Sequence, residues 1–211
     1  MAPSRASCLV AALLAAAAGQ AAPTREPAPL QLDGSQPIQL EADSTGFDYK
    51  ASTLVFHNVH IAQGALAIDA AEATATGLDF RDSHWLFRGN VRITIPDGSM
   101  TSDEARIAFA GNVIARADIT GTPARFEQKR DKGVARGRAS RIEYLPAAGT
   151  VRLTEDAWLS DGDNEISGQT FVYSVRDQSW RANPDEQGGQ HVRITINPKK
   201  PDAKPAPKPN P

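Results

Sequence analysis

A strand-sized unit recurs along most of this chain, and it leaves few folds open. An apolar or small anchor residue is followed two positions later by a small one. Seven positions after the anchor, an apolar pair begins in alternate positions. Leu40 leads to Ala42, then Phe47 and Tyr49, and Met100 leads to Ser102, then Ile107 and Phe109. Ala135 leads to Gly137, then Ile142 and Tyr144, and Ile166 leads to Gly168, then Tyr173 and Val175. Ile68 and Ala70 begin a weaker copy that decays to Ala75 and Gly77. A hairpin of this size cannot bury its apolar face alone, so neighbouring copies must stack and share one long interior. Such an interior suits an apolar cargo better than it suits chemistry.

The apolar period between these landmarks is two. Ile38, Leu40 and Ala42 alternate with Gln39, Glu41 and Asp43, and Val192, Ile194 and Ile196 alternate with Arg193 and Thr195. Trp85, Phe87, Val91, Ile93 and Ile95 share one phase. This alternation predicts half-buried antiparallel strands, hence an all-β domain. Turn residues fall between the runs at Gln63-Gly64, Pro96-Asp97-Gly98, Gly111-Asn112, Asp131-Lys132-Gly133, Asp161-Gly162 and Gly188-Gly189. The phase changes between Phe56 and Val59 and again between Gly168 and Phe171. A bulge or bend near Asn58 and near Gln169 would keep both halves of those strands facing inward. Residues 71–75 are helix-compatible by propensity, but the pattern on both sides favours a strand.

The N-terminus reads as an export signal. Arg5 precedes a short Ala/Leu run from Leu9 to Ala18, and small residues follow at Gly19 and Ala21. The run is too short for a spanning helix, which needs ~20 apolar residues. The expected organisation is a signal peptide at 1–21, a leader at 22–36, one β domain at 37–197 and a disordered Pro/Lys tail at 198–211. Cys8 is the sole cysteine and leaves with the signal, so the exported chain has neither disulfide nor thiolate metal site. The formal net charge of −2 implies no strong electrostatic partner.

No catalytic constellation stands out. His57 and His60 are three apart, which on a regular strand puts them on opposite faces and makes them poor co-ligands. Asp161, Asp163 and Glu165 suggest a calcium loop, but the glycine at position six and the flanking helices are missing. Lys129, Arg130, Lys132, Arg136, Arg138 and Arg141 form the one basic cluster. It lacks interleaved stacking aromatics, which argues against nucleic acid and for a solvated hairpin or a contact with anionic sugars. No enzyme activity, cofactor or metal is expected.

Residues 36–64, QPIQLEADSTGFDYKASTLVFHNVHIAQG, resemble the opening of the LptA family of lipopolysaccharide transport proteins within the OstA-like superfamily. Residues 123–180 do so again through PARFEQ, the KRDKG loop, GRASRIEY, VRLTEDAWL and ISGQTFVYSV. One departure is Glu155-Asp156, where family members commonly carry Gly-Asn. Another is an apparent extra hairpin between Leu78 and Asn112. The resemblance implies an open antiparallel β-jellyroll enclosing acyl chains. It also implies a periplasmic bridge with three kinds of partner besides lipopolysaccharide: an LptC-like inner-membrane complex, an LptD-like outer-membrane translocon and further copies of itself, head to tail. The acyl-contacting residues it suggests are Ile38, Leu40, Phe56, Phe126, Ile142, Tyr144 and Tyr173. Two alternatives stay open: an envelope assembly protein of the same superfamily without lipid cargo, and an enzyme acting on envelope lipids.

Overall fold

The computed structural model describes residues 36–78, 82–111, 113–130, 133–174, 179–184 and 191–197. The signal peptide, all but the last leader residue, the C-terminal tail and the Gly188-Gly189 turn lie outside the described residues. The strands are β1 (Gln39–Glu41), β2 (Ser44–Asp48), β3 (Thr53–Gln63), β4 (Leu66–Ala75), β5 (His84–Ile95), β6 (Gly98–Ala110), β7 (Val113–Arg130), β8 (Gly133–Leu145), β9 (Thr150–Ser160), β10 (Asn164–Ser174), β11 (Ser179–Ala182) and β12 (Arg193–Ile196). They form one antiparallel sheet in sequence order. β1 and β2 share the edge of β3 at one end, and β11 and β12 share the edge of β10 at the other. The sheet does not close on itself, which is the open jellyroll expected.

The register aligns the repeat units into continuous rows. One inward row runs through ten strands: Leu40, Ile61, Ile68, Ile93, Met100, Phe126, Gly137, Leu159, Ile166 and Ile194. A second, far row runs through Phe47, Leu54, Ala75, Trp85, Ile107, Ala117, Tyr144, Val151, Tyr173 and Trp180. Beside it, a middle row includes Phe56, Phe87, Ile119, Ile142, Leu153 and Phe171. One apolar cluster draws on all three rows.

Between the first row and the other two, a crease crosses the whole sheet. Register shifts fall at 69/72, 88/91, 101/104, 120/124, 138/141 and 168/170. β1 gives way to β2 at the same level, opposite Asn58. Asn58, Gly89, Asn90, Glu155 and Asp156 all have positive φ there. Side-chain hydrogen bonds bridge the crease locally. Asn58 donates to Asp43 at 2.7 Å, the Thr122 amide and hydroxyl both donate to Asp103, and the Thr170 amide donates to Asn183 at 2.9 Å. Each pair at the crease has at least one small member: Ala70 opposite Val59, Ser102 opposite Val91, Ala124 opposite Ala139 and Ala157 opposite Gly168. A folded sheet brings its two halves closest along the fold, where only small side chains keep the packing free of clash.

Two readings need correction. The third copy of the unit is displaced by two residues: Gly137, Ala139 and Tyr144, not Ala135, Gly137 and Ile142, take the row positions of Met100, Ser102 and Ile107. His57 and His60 both lie on the outer face, because the Asn58 bulge cancels the odd spacing between them. The connection Pro146–Ala148, a single 3₁₀ turn closed by Gly149 in the left-handed region, was not foreseen. The hairpin of β5 and β6 lies in the middle of the sheet, continuous with its neighbours.

Candidate functional site

The inward face divides into a tight half and a loose half. In the middle and far rows Phe56, Trp85 and Phe87 form a column of parallel rings, with centroids 6.1 and 5.8 Å apart. The Trp85 indole N–H donates to Ser83, so its polar edge is satisfied within the core. Leu153, Ile142 and Phe171 are buried in the same layer. Across the crease, Leu40, Met100, Phe126 and Ile166 are only partly buried, as are Leu66 and Ile95 one step further out. Ile61, Ile68, Ile93 and Leu159 of the same row are buried, so this half is an apolar wall that is open only in part.

The seven sequence-derived contact residues spread over this frame. Leu40 and Phe126 stand on the loose row, and Ile38 precedes β1 at its outer end, exposed. Phe56 and Ile142 lie in the tight half, fully buried. Tyr144 and Tyr173 are on the far row, two strands apart, and the Tyr173 ring packs on Trp180 with centroids 4.6 Å apart. Reading residues singly missed Ile68, Ile93 and Met100, which share the row of Leu40 and Phe126. For Ile68 and Met100 the signal was present in the anchor position of the repeat. The space beside Gly137 is filled: a Cβ there would overlap the Phe126 ring and come within 2.8 Å of Leu159.

The outer face is polar and largely self-neutralised. Glu104 pairs with Arg88 at 2.9 Å and Arg106 at 2.6 Å, and Glu127 pairs with Arg136 at 3.0 Å. Asp118 sits between Arg116 and Arg141, and Arg116 also reaches Glu143. The hydrogen bond from Arg116 holds the Asp118 carboxyl below the usual carboxylate range. His60 bonds Asp69 at 2.7 Å. The Arg138 guanidinium lies 5.0 Å over the Trp158 ring. Two shallow grooves of about 370 and 220 Å³ are lined by outer-face side chains, including Arg106 and Asp118 in the first and Arg125 and Arg138 in the second. The Asp161 carboxylate accepts from the Asp163 and Asn164 amides, which closes the turn and depresses its pKa. It is thereby engaged in the hairpin.

The chain is similar to LptA of Escherichia coli (strain K12), named a lipopolysaccharide export system protein: 29% identical over 168 residues, covering 79% of this chain and 74% of that one. LptA of Haemophilus influenzae is also 29% identical, over 79% of this chain and 78% of its own. The solved structure of LptH, described as the LptA homologous periplasmic component of the lipopolysaccharide transport device of Pseudomonas aeruginosa, aligns with a TM-score of 0.49 at 22% identity. That alignment covers 79% of this chain and 99% of LptH. Residues 71–179, just over half of the chain, match the family described as LptA/(LptD N-terminal domain) LPS transport protein. The chain belongs to this family of lipopolysaccharide transport proteins.

Proposed function

We propose that this chain carries lipopolysaccharide across the periplasm as part of a bridge between the two membranes, holding the acyl chains in the trough while the sugars stay in water. The observation that carries the reading is the inward row from Leu40 to Ile194, apolar except at Gly137 and reaching both ends of an open sheet. Burying a methylene is worth ~0.8 kcal/mol, so exposing one twelve-carbon chain to water costs on the order of ten kcal/mol. A greasy wall removes most of that barrier. Leu40, Phe126 and Ile38 make first contact on the loose side, Tyr144 and Tyr173 face them from the far row, and Phe56 and Ile142 form the floor.

The role is transfer without covalent chemistry, and direction comes from an energised LptC-like inner-membrane complex. An LptD-like translocon receives the lipid, and copies join head to tail through the edge strands. Residues 1–21 are the export signal that places the domain, 37–197, in the periplasm. A cargo-free assembly role is the competing reading, and the close packing of Trp85, Phe87 and Leu153 favours it in the tight half.

Photo-crosslinking residues placed at Ile38, Phe126 or Tyr144 trap lipopolysaccharide in cells, and one at outward-facing Arg152 does not. Equal labelling at all four sites overturns the trough. No labelling at any site in a folded, exported protein favours the cargo-free role.

A further inference from the structure

The large exposed apolar side chains gather at the two ends of the sheet. Ile38, Phe47 and Tyr49 lie at the β1/β2 end, and Trp180, Val192, Ile194 and Ile196 lie at the β11/β12 end; among the described residues only Leu78 and Val113 lie elsewhere. Ile194 and Ile196 are 62% and 74% exposed, although Ile194 continues a row whose other members are buried or half-buried. Both ends are also split at the crease into two short strands, β1 with β2 and β12 with β11. Strand direction alternates across the sheet, so β12 and β1 of a following copy would meet antiparallel and continue the meander.

We infer that copies of this chain join in one register, with Ile194 opposite Leu40 and Arg193 opposite Glu41 of the next copy. This deepens the head-to-tail reading above and rests on it. The inward rows select the register: keeping the Leu40 row and the Phe47 row unbroken across the junction sets Ile194 against Leu40 and Trp180 against Phe47 simultaneously. A one-residue slip would turn every inward side chain outward. A two-residue slip would break the rows and misalign the crease. The outer face then supplies a charge match. Arg193 meets Glu41, and Arg181 lies diagonal to Asp48; neither Arg193 nor Glu41 has an ion-pair partner among the described residues of its own chain. The neighbour also completes the site, since its Leu40 covers Ile194 and the trough wall passes through the junction without a gap.

The test uses the exported chain, which has no cysteine of its own once the signal is removed. In this register Gln39 and Thr195 are directly opposite and outward. Gln39→Cys combined with Thr195→Cys should therefore give a covalent ladder of oligomers on mild oxidation. Gln39→Cys with Arg193→Cys should not, because diagonal positions lie ~7–8 Å apart, beyond disulfide reach. Glu41→Arg alone should weaken assembly about two- to fivefold by sedimentation, and adding Arg193→Glu should restore it. A ladder from the 39/193 pair in place of the 39/195 pair overturns the register while leaving head-to-tail assembly intact. Wild type sedimenting as a monomer over the whole concentration range overturns the assembly reading itself.

Discussion

The two halves of each strand, one on either side of the crease, descend from the same repeat yet do different work. In one half Trp85, Phe87, Leu153 and Phe171 are buried almost completely and aromatic rings stack, while the far row opens towards the sheet ends at Phe47 and Trp180. In the other half, Met100, Phe126 and Ile166 stay partly open between the buried Ile61, Ile68, Ile93 and Leu159. In the proposed function the first half supplies stability and the second offers its partly open side chains to a guest. A sheet folded on a crease can separate these tasks. A closed sandwich, filled at interior density on both faces, would have to lose packing to admit a chain.

That contrast can be broken most directly by truncation. Phe87→Ala or Leu153→Ala should cost about 3 to 5 kcal/mol in denaturant unfolding, and Met100→Ala about 1 to 2, because Met100 is only partly buried. Equal losses on both sides would erase the distinction. Gly137→Val comes next. Its side chain would occupy the seat of the Phe126 ring, and overpacking of this kind costs about 1 to 3 kcal/mol. Combining it with Phe126→Ala should recover part of the loss, and a double-mutant cycle with no coupling would show that the ring is not held there.

The crease itself offers a smaller effect of either sign. Glu155 sits at φ 66°, a conformation costing a non-glycine residue roughly 1 to 2 kcal/mol. Glu155→Gly should therefore stabilise the fold by about 0.5 to 1 kcal/mol after the entropic cost of glycine. Asn58→Ala should destabilise by about 1 kcal/mol, through loss of the bond to Asp43 and of a residue that tolerates positive φ. The smallest effect lies on the outer face. Asp118 titrates below its unfolded value, so its stabilising contribution is complete above about pH 4 and is lost as pH falls through the lower folded value. Asp118→Asn should flatten the stability curve in that acid range and leave its slope near neutrality unchanged. An unaltered acid slope would mean that other carboxylates set it.

Much of this architecture was legible in the chain because strand burial writes itself as a period of two. The crease was legible too, in principle. Seven is an odd spacing, so an anchor and an aromatic seven residues apart can share a face only if one residue between them is bulged. At Asn58 and Gln169 the phase change exposed the bulge. In β5 and β9 the two-residue bulges Gly89-Asn90 and Glu155-Asp156 preserve the phase, and nothing in the periodicity betrays them. The histidines were misplaced for the converse reason, since their spacing was read on a regular strand. The seven contact residues were chosen by type and family match, which cannot distinguish a side chain in the ring column from one on the partly open wall.

The chain by itself determined an all-β meander with one apolar face, since each of those properties follows from local alternation and turn chemistry. The tertiary structure alone decided which copies of the unit share a row, where the inward face is tightest, and that both ends of the sheet are split at the crease. Those depend on register between strands distant in sequence. Register is set by how all twelve strands pack together, and no single segment encodes it.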